Sequence, residues 1–251
     1  MEVHHHPQVE KKTFKEYLLE FIMIFLAVSL GFIAENLREW ISDRRYLHQY
    51  MQSMVNDLQS DLQMYDSGRK FNLAYAAMID TIILSVKEKR DNAGEVYLMA
   101  RNLTRGSSVI TPNSKTFEQM KSANGLRLID RRKIGDDIAS YYQWIKRFEY
   151  WSDLQRQRIN DIINNNDKMF SAVDFYSIVH LNDSTRKDSL RAVLSRAKYL
   201  STDIAAVNPV LMRMQYYYGL LQLMNQRMQL ASQSAKQLIG ELNDEYDLRE
   251  K

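Results

Sequence analysis

The sequence has no cysteine, and only 3 of its 251 residues are proline and 8 are glycine. Without cysteine the protein can form no disulfide bond and no cysteine-ligated zinc or iron–sulfur site, and it has no thiol for catalysis. The three prolines, Pro7, Pro112 and Pro209, leave long stretches free of the residue that breaks helices most strongly. The sequence therefore predicts long helices.

The charge and the motif content exclude several classes of function. The chain carries 34 Lys and Arg against 31 Asp and Glu, and a net charge of +3 that is evenly dispersed argues against a nucleic-acid partner. Phosphate-binding glycine loops, zinc-protease motifs and serine-nucleophile motifs are missing. The histidines His4 to His6 could bind a metal, but a flexible tail or a tag remnant explains them better. We predict no catalytic residue, no cofactor and no metal, and a protein that is not an enzyme.

One uncharged apolar run stands out from this soluble-looking composition. It extends from Phe21 to Ala34, and at ~1.5 Å per residue it covers only ~21 Å of a ~30 Å hydrocarbon layer. A full span must extend to about 17–36, with Tyr17 and Trp40 at the two interfaces. We predict a flexible tail at 1–12, a transmembrane anchor at 13–36 and a helical-bundle domain at 37–251.

A cleaved signal peptide is the alternative to this anchor, because a basic start precedes an apolar stretch of suitable length. The run continues into a helical pattern without a break at 33–36, which favours an uncleaved signal anchor. Basic residues lie on both sides of the span, so the positive-inside rule hardly decides its orientation. A short tail before a large domain suits a cytoplasmic N terminus, and we expect a periplasmic C-terminal domain.

Thr13 and Glu16 form the T-x-x-E pattern of a capping box, which marks a helix start. Apolar residues then keep helical spacing until the sequence Asp-Ser-Gly at 66–68, which is typical of a helix end. The predicted elements are one helix over 13–66, whose soluble part 37–66 is a stalk, and a helix over 71–89 that returns antiparallel to it.

The least helical stretch runs from Arg105 to Ser114, which makes it the best candidate for a functional loop. Ser114 is placed to cap the helix that follows it, and Asp130 to cap a longer one. Asn124 and Gly125 form a turn signal. Further helices are predicted over about 95–104, 115–122, 131–167 and 183–199.

The segment 209–246 has the most regular apolar pattern of the chain. Its inward positions follow three–four steps, as in a coiled-coil seam or in the core stripe of a long bundle helix. Pro209 fits the first turn of this helix with Asn208 as its cap, and Asn225 either fixes register or lies on a wet edge. The predicted seam residues are Leu211, Met214, Tyr218, Leu221, Asn225, Met228, Ser232, Ala235, Ile239, Leu242 and Tyr246.

These helical patterns meet no competing strand or hairpin pattern. The predicted fold class is therefore all-α. We expect an N-terminal transmembrane helix continuous with an elongated antiparallel bundle of four or more helices.

Several residues are candidates for contact with a partner. The three tyrosines at 216–218 cover three faces of a helix, so at least one ring should lie outside the core. An aromatic group that includes Trp144 and Trp151 has helical spacing and indicates a core with a partner-facing edge. We single out Tyr217, Asn225, Trp144 and Trp151 as possible partner-facing residues.

One stripe of the predicted span carries Glu20, Ala27, Gly31 and Ala34. Ala27 and Gly31 form a small-xxx-small pair, so this stripe is predicted to pack against another membrane helix. A carboxylate that faces a partner helix is costly unless it is protonated, paired or hydrated. Glu20 is either an ion or proton site, as in single-span stator subunits, or a residue at the headgroup boundary. Its place at the end of the span favours the boundary.

Two segments of the sequence have a distinctive pattern. One is the anchor, where FKEYLLE from Phe14 leads into MIFLAVSLGFIAENLRE, and the other reads T-[FY]-x-x-[LM]-x-S-x-x-x-L-x-L-I at 116–129. Together they resemble a Bacteroidetes family of single-pass membrane proteins with a domain of unknown function. The resemblance implies a bacterial inner-membrane protein and brings no activity with it. The shared central segment includes Thr116, Phe117, Ser122, Gly125 and Leu128, for which helix capping and a left-handed turn at Gly125 would be sufficient causes.

The sequence thus predicts architecture and association more than chemistry. We expect a membrane-anchored helical scaffold or interaction protein that self-associates through the span stripe and through the 209–246 helix. Its partners would be membrane lipid and a second copy or another membrane protein, with no nucleic acid. Two alternatives are an extracytoplasmic sensory or ligand-binding module that acts through a partner, and an accessory subunit of an ion-driven membrane complex that uses Glu20.

Overall fold

The computed structural model describes residues 13–173, 176, 192 and 194–248. The predicted tail at 1–12 and most of the predicted helix 183–199 lie outside these residues. The described part is all-α, as predicted, and its one pairing of strand type is an isolated bridge between Phe170 and Tyr199. The helices with described bounds are α1 (Phe14–Lys87), α2 (Ala93–Leu103), α3 (Lys115–Ser122), α4 (Arg132–Ile145), α5 (Arg147–Ile163) and α6 (Ile204–Tyr246), with short 3-10 turns at Gly125–Leu128 and Asn166–Lys168.

The chain divides into two compact units, Met1–Tyr50 and Met51–Lys251. Helix α1 begins in the first unit and ends in the second. Its start makes the predicted capping contact, since the Thr13 backbone N–H donates to Glu16 Oε2 over 2.8 Å.

The predicted end of the first helix at 66–68 is wrong, because α1 continues through these residues to Lys87. Gly68 allows close packing there and does not form a turn. A Cβ atom on Gly68 would lie 2.5 Å from Ile110 Cδ1 and 2.9 Å from Met228 Sδ. The glycine therefore lets both side chains approach the backbone of α1.

The predicted stalk 37–66 and the helix predicted to return antiparallel to it are consequently parts of one helix. The end of α1 is a Schellman motif, in which the Lys89 N–H donates to the Val86 carbonyl over 3.2 Å and the Arg90 N–H to the Ser85 carbonyl over 2.9 Å. Lys89 takes the left-handed conformation of this motif, with φ 54°. The helix thus ends about 20 residues later than the Asp-Ser-Gly signal predicts, because tertiary packing overrides that local signal.

The chain then comes back along α1 through residues 102–116, which we call the return segment. Its contacts with α1 are Asn102 carbonyl with Tyr75 hydroxyl (2.8 Å), Ser108 Oγ with Asn72 Oδ1 (2.7 Å) and Asn113 N–H with Asp61 Oδ1 (2.7 Å). Residue numbers on α1 fall as those on the return segment rise, so the two run antiparallel.

The predicted helix 131–167 is two helices, α4 and α5, which meet at Lys146. Asp130 is not the cap of α4, because Arg131 occupies that position and makes no side-chain capping bond. Helix α5 ends at Ile163, immediately before the three asparagines that weaken a helix end. Both helices pack against α6.

Helix α6 begins five residues earlier than predicted. Asp203 caps it by accepting from the Ala205 N–H over 3.2 Å, so Pro209 lies inside the helix and Asn208 is not its cap. Asp203 and not Asn208 is the cap because its carboxylate accepts from an N–H group that the first turn leaves unpaired.

The buried stripe of α6 is shifted by one residue at every second step of the predicted seam. Val210 and Tyr217 are buried instead of Leu211 and Tyr218, Ala231 and Leu238 are buried instead of Ser232 and Ile239, and Met224 is buried beside Asn225. The stripe packs inside the chain, so its repeat reflects a bundle core. Its buried members are Val207, Val210, Met214, Tyr217, Leu221, Met224, Met228, Ala231, Ala235, Leu238 and Leu242.

One hydrophobic core cluster of the described residues joins α1, α2, α5 and α6. Burial of large apolar side chains such as these contributes roughly 1.5–3 kcal/mol each before entropy is counted. Members of this core from the four helices include Ile79 and Ile82, Val96 and Leu103, Ile162, and Val210 and Met214.

We expect Gly94→Ala to lower the free energy of unfolding by about 1–3 kcal/mol. A Cβ atom there would lie 2.4 Å from the backbone oxygen of Leu194, and this clash outweighs the better helix propensity of alanine. The matched control is Gly240→Ala in α6, where nothing lies within 4 Å and propensity alone should add about 0.5–1 kcal/mol. Urea unfolding of the full chain in detergent measures both, and equal stabilisation by the two substitutions would contradict the close approach at Gly94.

Candidate functional site

The face of α1 beneath the return segment carries two aspartates one helical turn apart, Asp57 and Asp61. Their neighbours Met54 and Leu58 are completely buried. Asp61 itself is 2% exposed. A carboxylate in such surroundings is costly unless hydrogen bonds satisfy its oxygens.

Both oxygens of Asp61 have protein donors. Oδ1 accepts from the Asn113 N–H over 2.7 Å, and Oδ2 accepts from the Tyr141 hydroxyl over 2.9 Å. The Tyr141 hydroxyl lies 3.2 Å from that of Tyr65. This cluster links α1, the return segment and α4 through one carboxyl group.

Burial raises the pKa of the Asp61 carboxyl to about 6, even though its two donors act in the opposite direction. The neighbouring charge of Asp57 adds to the increase. Burial also raises the pKa of Tyr65 and of Tyr141, so both phenols keep their protons. This pKa places the change of charge of Asp61 near pH 6.

Asp57 fixes the same part of the return segment and the start of α3. Its Oδ1 accepts from Asn113 Nδ2 over 2.6 Å, and its Oδ2 accepts from the Thr116 N–H over 3.2 Å. Ser114 occupies the cap position as predicted, but its side chain makes no capping bond. Asn113 Oδ1 instead accepts from the Lys115 N–H over 3.1 Å. The first N–H groups of α3 are thus satisfied from α1 and from Asn113.

The predicted functional loop 105–114 does line a surface feature. An open groove of 610 Å³ lies beside Asp61, between α1 and the residues from Thr111 to Glu118. Ser108 and Asn113 of this loop are nevertheless held against α1 by hydrogen bonds to Asn72, Asp57 and Asp61. Its lack of helical pattern reflects an extended, packed connection.

A second buried polar network lies deeper in the bundle. Ser108 Oγ donates to Asn72 Oδ1, and Gln155 Nε2 donates to the Tyr217 hydroxyl over 3.2 Å and lies 3.4 Å from Ser108 Oγ. The network joins α1, the return segment, α5 and α6. Because a buried amide or hydroxyl needs its partners, these contacts favour one register of the four elements.

The residues predicted to face a partner are mostly internal. Tyr217 is fully buried, Trp151 is 8% exposed beneath the Arg227 guanidinium, and Trp144 is half-buried against Trp151. The partner-facing prediction is wrong for Tyr217 and Trp151, because both rings fill the core. The tyrosine that lies outside is Tyr216, at 57% exposure.

Asn225 is 8% exposed, and both polar atoms of its side chain are buried without a hydrogen-bond partner among the described residues. It therefore does not lie on a wet edge or face a partner. A buried polar residue of this kind costs stability.

The segment shared with the resembling family has local structural causes. Thr116 is buried at the start of α3, Phe117 stacks on Tyr142 with ring centroids 4.4 Å apart, and Ser122 Oγ donates to the Glu118 carbonyl. The left-handed residue of the turn is Asn124, with φ 54°. The prediction for Gly125 is wrong, because this buried glycine starts the 3-10 turn that contains the half-buried Leu128.

The predicted span is part of α1, which is long and apolar enough to cross a membrane and fits a membrane-anchored helical protein. None of its most apolar window is buried. Ala27, Gly31 and Ala34 are exposed, and nothing lies within 4 Å of a Cβ atom built on Gly31. Glu20 is half-buried and has an interaction partner.

Comparison of the chain with protein-family models, with curated proteins and with solved structures found no match.

The two aspartates are the residues of this site that the sequence pattern does not single out. The available signal was a pair of acids at i and i+4 on the face of a helix that is otherwise apolar. Their geometry assigns them a structural task, since every carboxylate oxygen already accepts a hydrogen bond from the return segment or from α4. In the part of the chain that the structure describes, no group of three acidic or histidine side chains is placed to hold a metal.

We expect stability to depend on the ionisation of Asp61. Its pKa of about 6 in the folded state exceeds that of an ordinary aspartate, so the folded state binds more protons between pH ~4 and ~6. The free energy of unfolding should therefore rise as pH falls from 7.5 to 5, by about 1–3 kcal/mol for this group. Asp61→Asn removes the titration and keeps an oxygen for the Asn113 N–H.

Urea unfolding of the wild type and of this variant at several pH values measures the effect. The stability of the wild type relative to the variant should increase toward pH 5. The exposed Asp66, which pairs with Lys70, provides the matched control as Asp66→Asn. A difference between wild type and Asp61→Asn that is constant with pH would contradict the assignment.

Proposed function

We propose that this protein is a single-pass, membrane-anchored helical scaffold whose unit Met51–Lys251 serves as an interaction module. The apolar surface of α1 carries the proposal. Leu30, Phe32 and Ile33 are each more than 60% exposed, and large apolar side chains of this kind continue around the helix from Phe21 to Ile41. Each would gain roughly 1.5–3 kcal/mol on transfer to an apolar environment, and a lipid bilayer provides that environment along a whole helix.

We expect the wild-type chain to stay with the membrane during an alkaline carbonate wash. The double substitution Phe25→Arg and Val28→Arg should release it, since each arginine near the centre of a span costs about 2.5–3.5 kcal/mol. The control places arginines at Val109 and Leu230, which are exposed apolar residues of the other unit. Release of the wild type, or equal retention of both double variants, would count against a membrane anchor.

Self-association belongs to the same proposal and rests on the stripe of Glu20, Ala27, Gly31 and Ala34. The open space at Gly31 lets the backbone of a second helix approach closely. The 209–246 helix no longer supports self-association, because its regular stripe is buried within the chain. The partner at the span would be a second copy or another membrane protein.

Gly31→Leu should lower the yield of crosslinked dimer in native membranes at least threefold, because the added side chain separates the two backbones. Ile33→Leu is the control, since it changes shape on another side of the same helix and keeps its volume. Unchanged dimer yield in Gly31→Leu, or a strictly monomeric wild type without a copurifying partner, would contradict self-association through this stripe.

The proposed location is the inner membrane of a bacterium, with the C-terminal unit in the periplasm. The resemblance of the anchor and of the 116–129 segment to the Bacteroidetes family supports the compartment. For the orientation, Lys11, Lys12 and Lys15 before the span agree with a cytoplasmic N terminus, and Arg38, Arg44 and Arg45 on its other side nearly balance them. Protease accessibility in intact cells tests it, because a periplasmic unit is cleaved only when the outer membrane is permeabilised.

An extracytoplasmic sensory or ligand-binding module is the second candidate. The open groove beside Asp61, lined in part by the predicted loop, favours it. The aromatic group around Trp144 and Trp151 packs in the core and adds nothing to that groove. An accessory subunit of an ion-driven complex is the remaining alternative, and Glu20→Gln with unchanged activity and assembly in the cell would exclude an ionic role.

A further inference from the structure

A cavity of 390 Å³ lies where α1 ends and where α2 and α6 begin. It is separate from the groove beside Asp61. Its volume is in the range of small-molecule sites. Its floor is apolar and includes Val86, Ala93, Met169 and Val207.

The cavity wall carries an excess of positive charge. Among the described residues that line it, Lys89, Arg90 and Lys198 are basic and Asp91 is acidic. Arg90 also pairs with Glu88, with 2.5 Å between Nη2 and Oε2. The remaining excess suits a ligand with a single negative charge better than one with several.

The first turn of α2 lies beside this wall. Asn92 occupies the cap position of α2, but its side chain makes no capping bond. Its Nδ2 donates to Ser85 Oγ over 3.1 Å, and its Oδ1 is buried without a described partner. Ala93, the first residue of α2, lines the cavity, so the positive end of this helix dipole faces the same region.

A buried hydroxyl group on a half-buried tyrosine supplies a further donor. The hydroxyl of Tyr199, a lining residue, is buried without a hydrogen-bond partner among the described residues. Burial and the neighbouring charge of Asp91 raise the pKa of Tyr199 to about 12, so the phenol keeps its proton. An unpaired buried donor is costly, and a ligand acceptor would satisfy it.

The backbone of Lys89 is the last feature of the cavity. This residue takes the left-handed conformation at the end of α1, where glycine is favoured and a lysine costs roughly 1–2 kcal/mol. A lysine contributes nothing to the Schellman motif that a glycine lacks. Its side chain does contribute a positive charge to the cavity wall.

We propose that this cavity binds a small organic carboxylate whose apolar part lies on the floor and whose carboxylate meets the Lys89, Lys198 and Tyr199 donors. This function goes beyond the proposed anchoring and interaction role, and it does not depend on it. The cavity belongs wholly to the Met51–Lys251 unit.

Fluorine NMR with 4-fluorobenzoate tests the proposal on the full chain in phosphatidylcholine nanodiscs. The carboxylate signal should broaden on addition of protein, and the signal of the neutral isostere 4-fluorobenzamide should not. Equal broadening of both would overturn the proposal, because it would show apolar adsorption. Stronger competition by inorganic phosphate than by unlabelled benzoate would also overturn it, since the site would then prefer phosphate.

Lys89→Gly separates binding from folding. It should raise or preserve the melting temperature, because glycine relieves the left-handed backbone, and it should weaken benzoate binding about three- to tenfold. Lys198→Gln and Tyr199→Phe should weaken binding to a similar degree. Lys236→Gln, an equal charge change at an exposed position of α6, should leave it unchanged. Benzoate affinity that is the same in wild type, Lys89→Gly and Lys198→Gln would overturn the site.

Discussion

The hydrogen bonds that tie the return segment to α1 are the constraint on which the rest of the bundle depends. Asp57 and Asp61 hold Asn113 and the start of α3, so the connection that follows α1 is fixed along that helix. This brings the chain back far enough for α4 and α5 to run in the same direction as α1. The Asp61 carboxyl group also accepts a hydrogen bond from the Tyr141 hydroxyl. This bond sets the register of α4 against α1.

The sequence predicts the all-α class, the capping box at Thr13 and the positions of most helices, because these depend on local spacing and composition. The predicted end of the first helix is wrong because Gly68 completes a helix-stop pattern in the sequence, whereas in the structure it allows close packing against Ile110 and Met228. The predicted seam of α6 is correct at every second step. At the other steps the preceding residue fits the three–four spacing as well, as Tyr217 does next to Tyr218. The role of Asp57 and Asp61 could not be predicted from local sequence, because the residues that donate hydrogen bonds to them follow 50 or more positions later.

The proposed anchoring function and the proposed ligand-binding function belong to different parts of the chain. The exposed apolar side chains of α1 between Phe21 and Ile41 are unfavourable in contact with water. They therefore support the proposal of a membrane anchor. The Met51–Lys251 unit has its own buried polar networks, which specify one packed arrangement. The cavity proposed to bind a carboxylate lies at the end of α1, where Lys89 takes a backbone conformation that glycine adopts more easily.

The most direct test concerns the continuity of α1. The sequence has no cysteine, so spin labels can be attached to single cysteines introduced at the exposed positions Gln59 and Asp80 without further substitutions. A continuous helix places these backbone positions about 31 Å apart. Electron–electron double resonance on the full chain should therefore give a distance near 30 Å. A distance below about 20 Å would mean that the chain turns back at 66–68. It would contradict the hydrogen bonds between the return segment and a continuous α1.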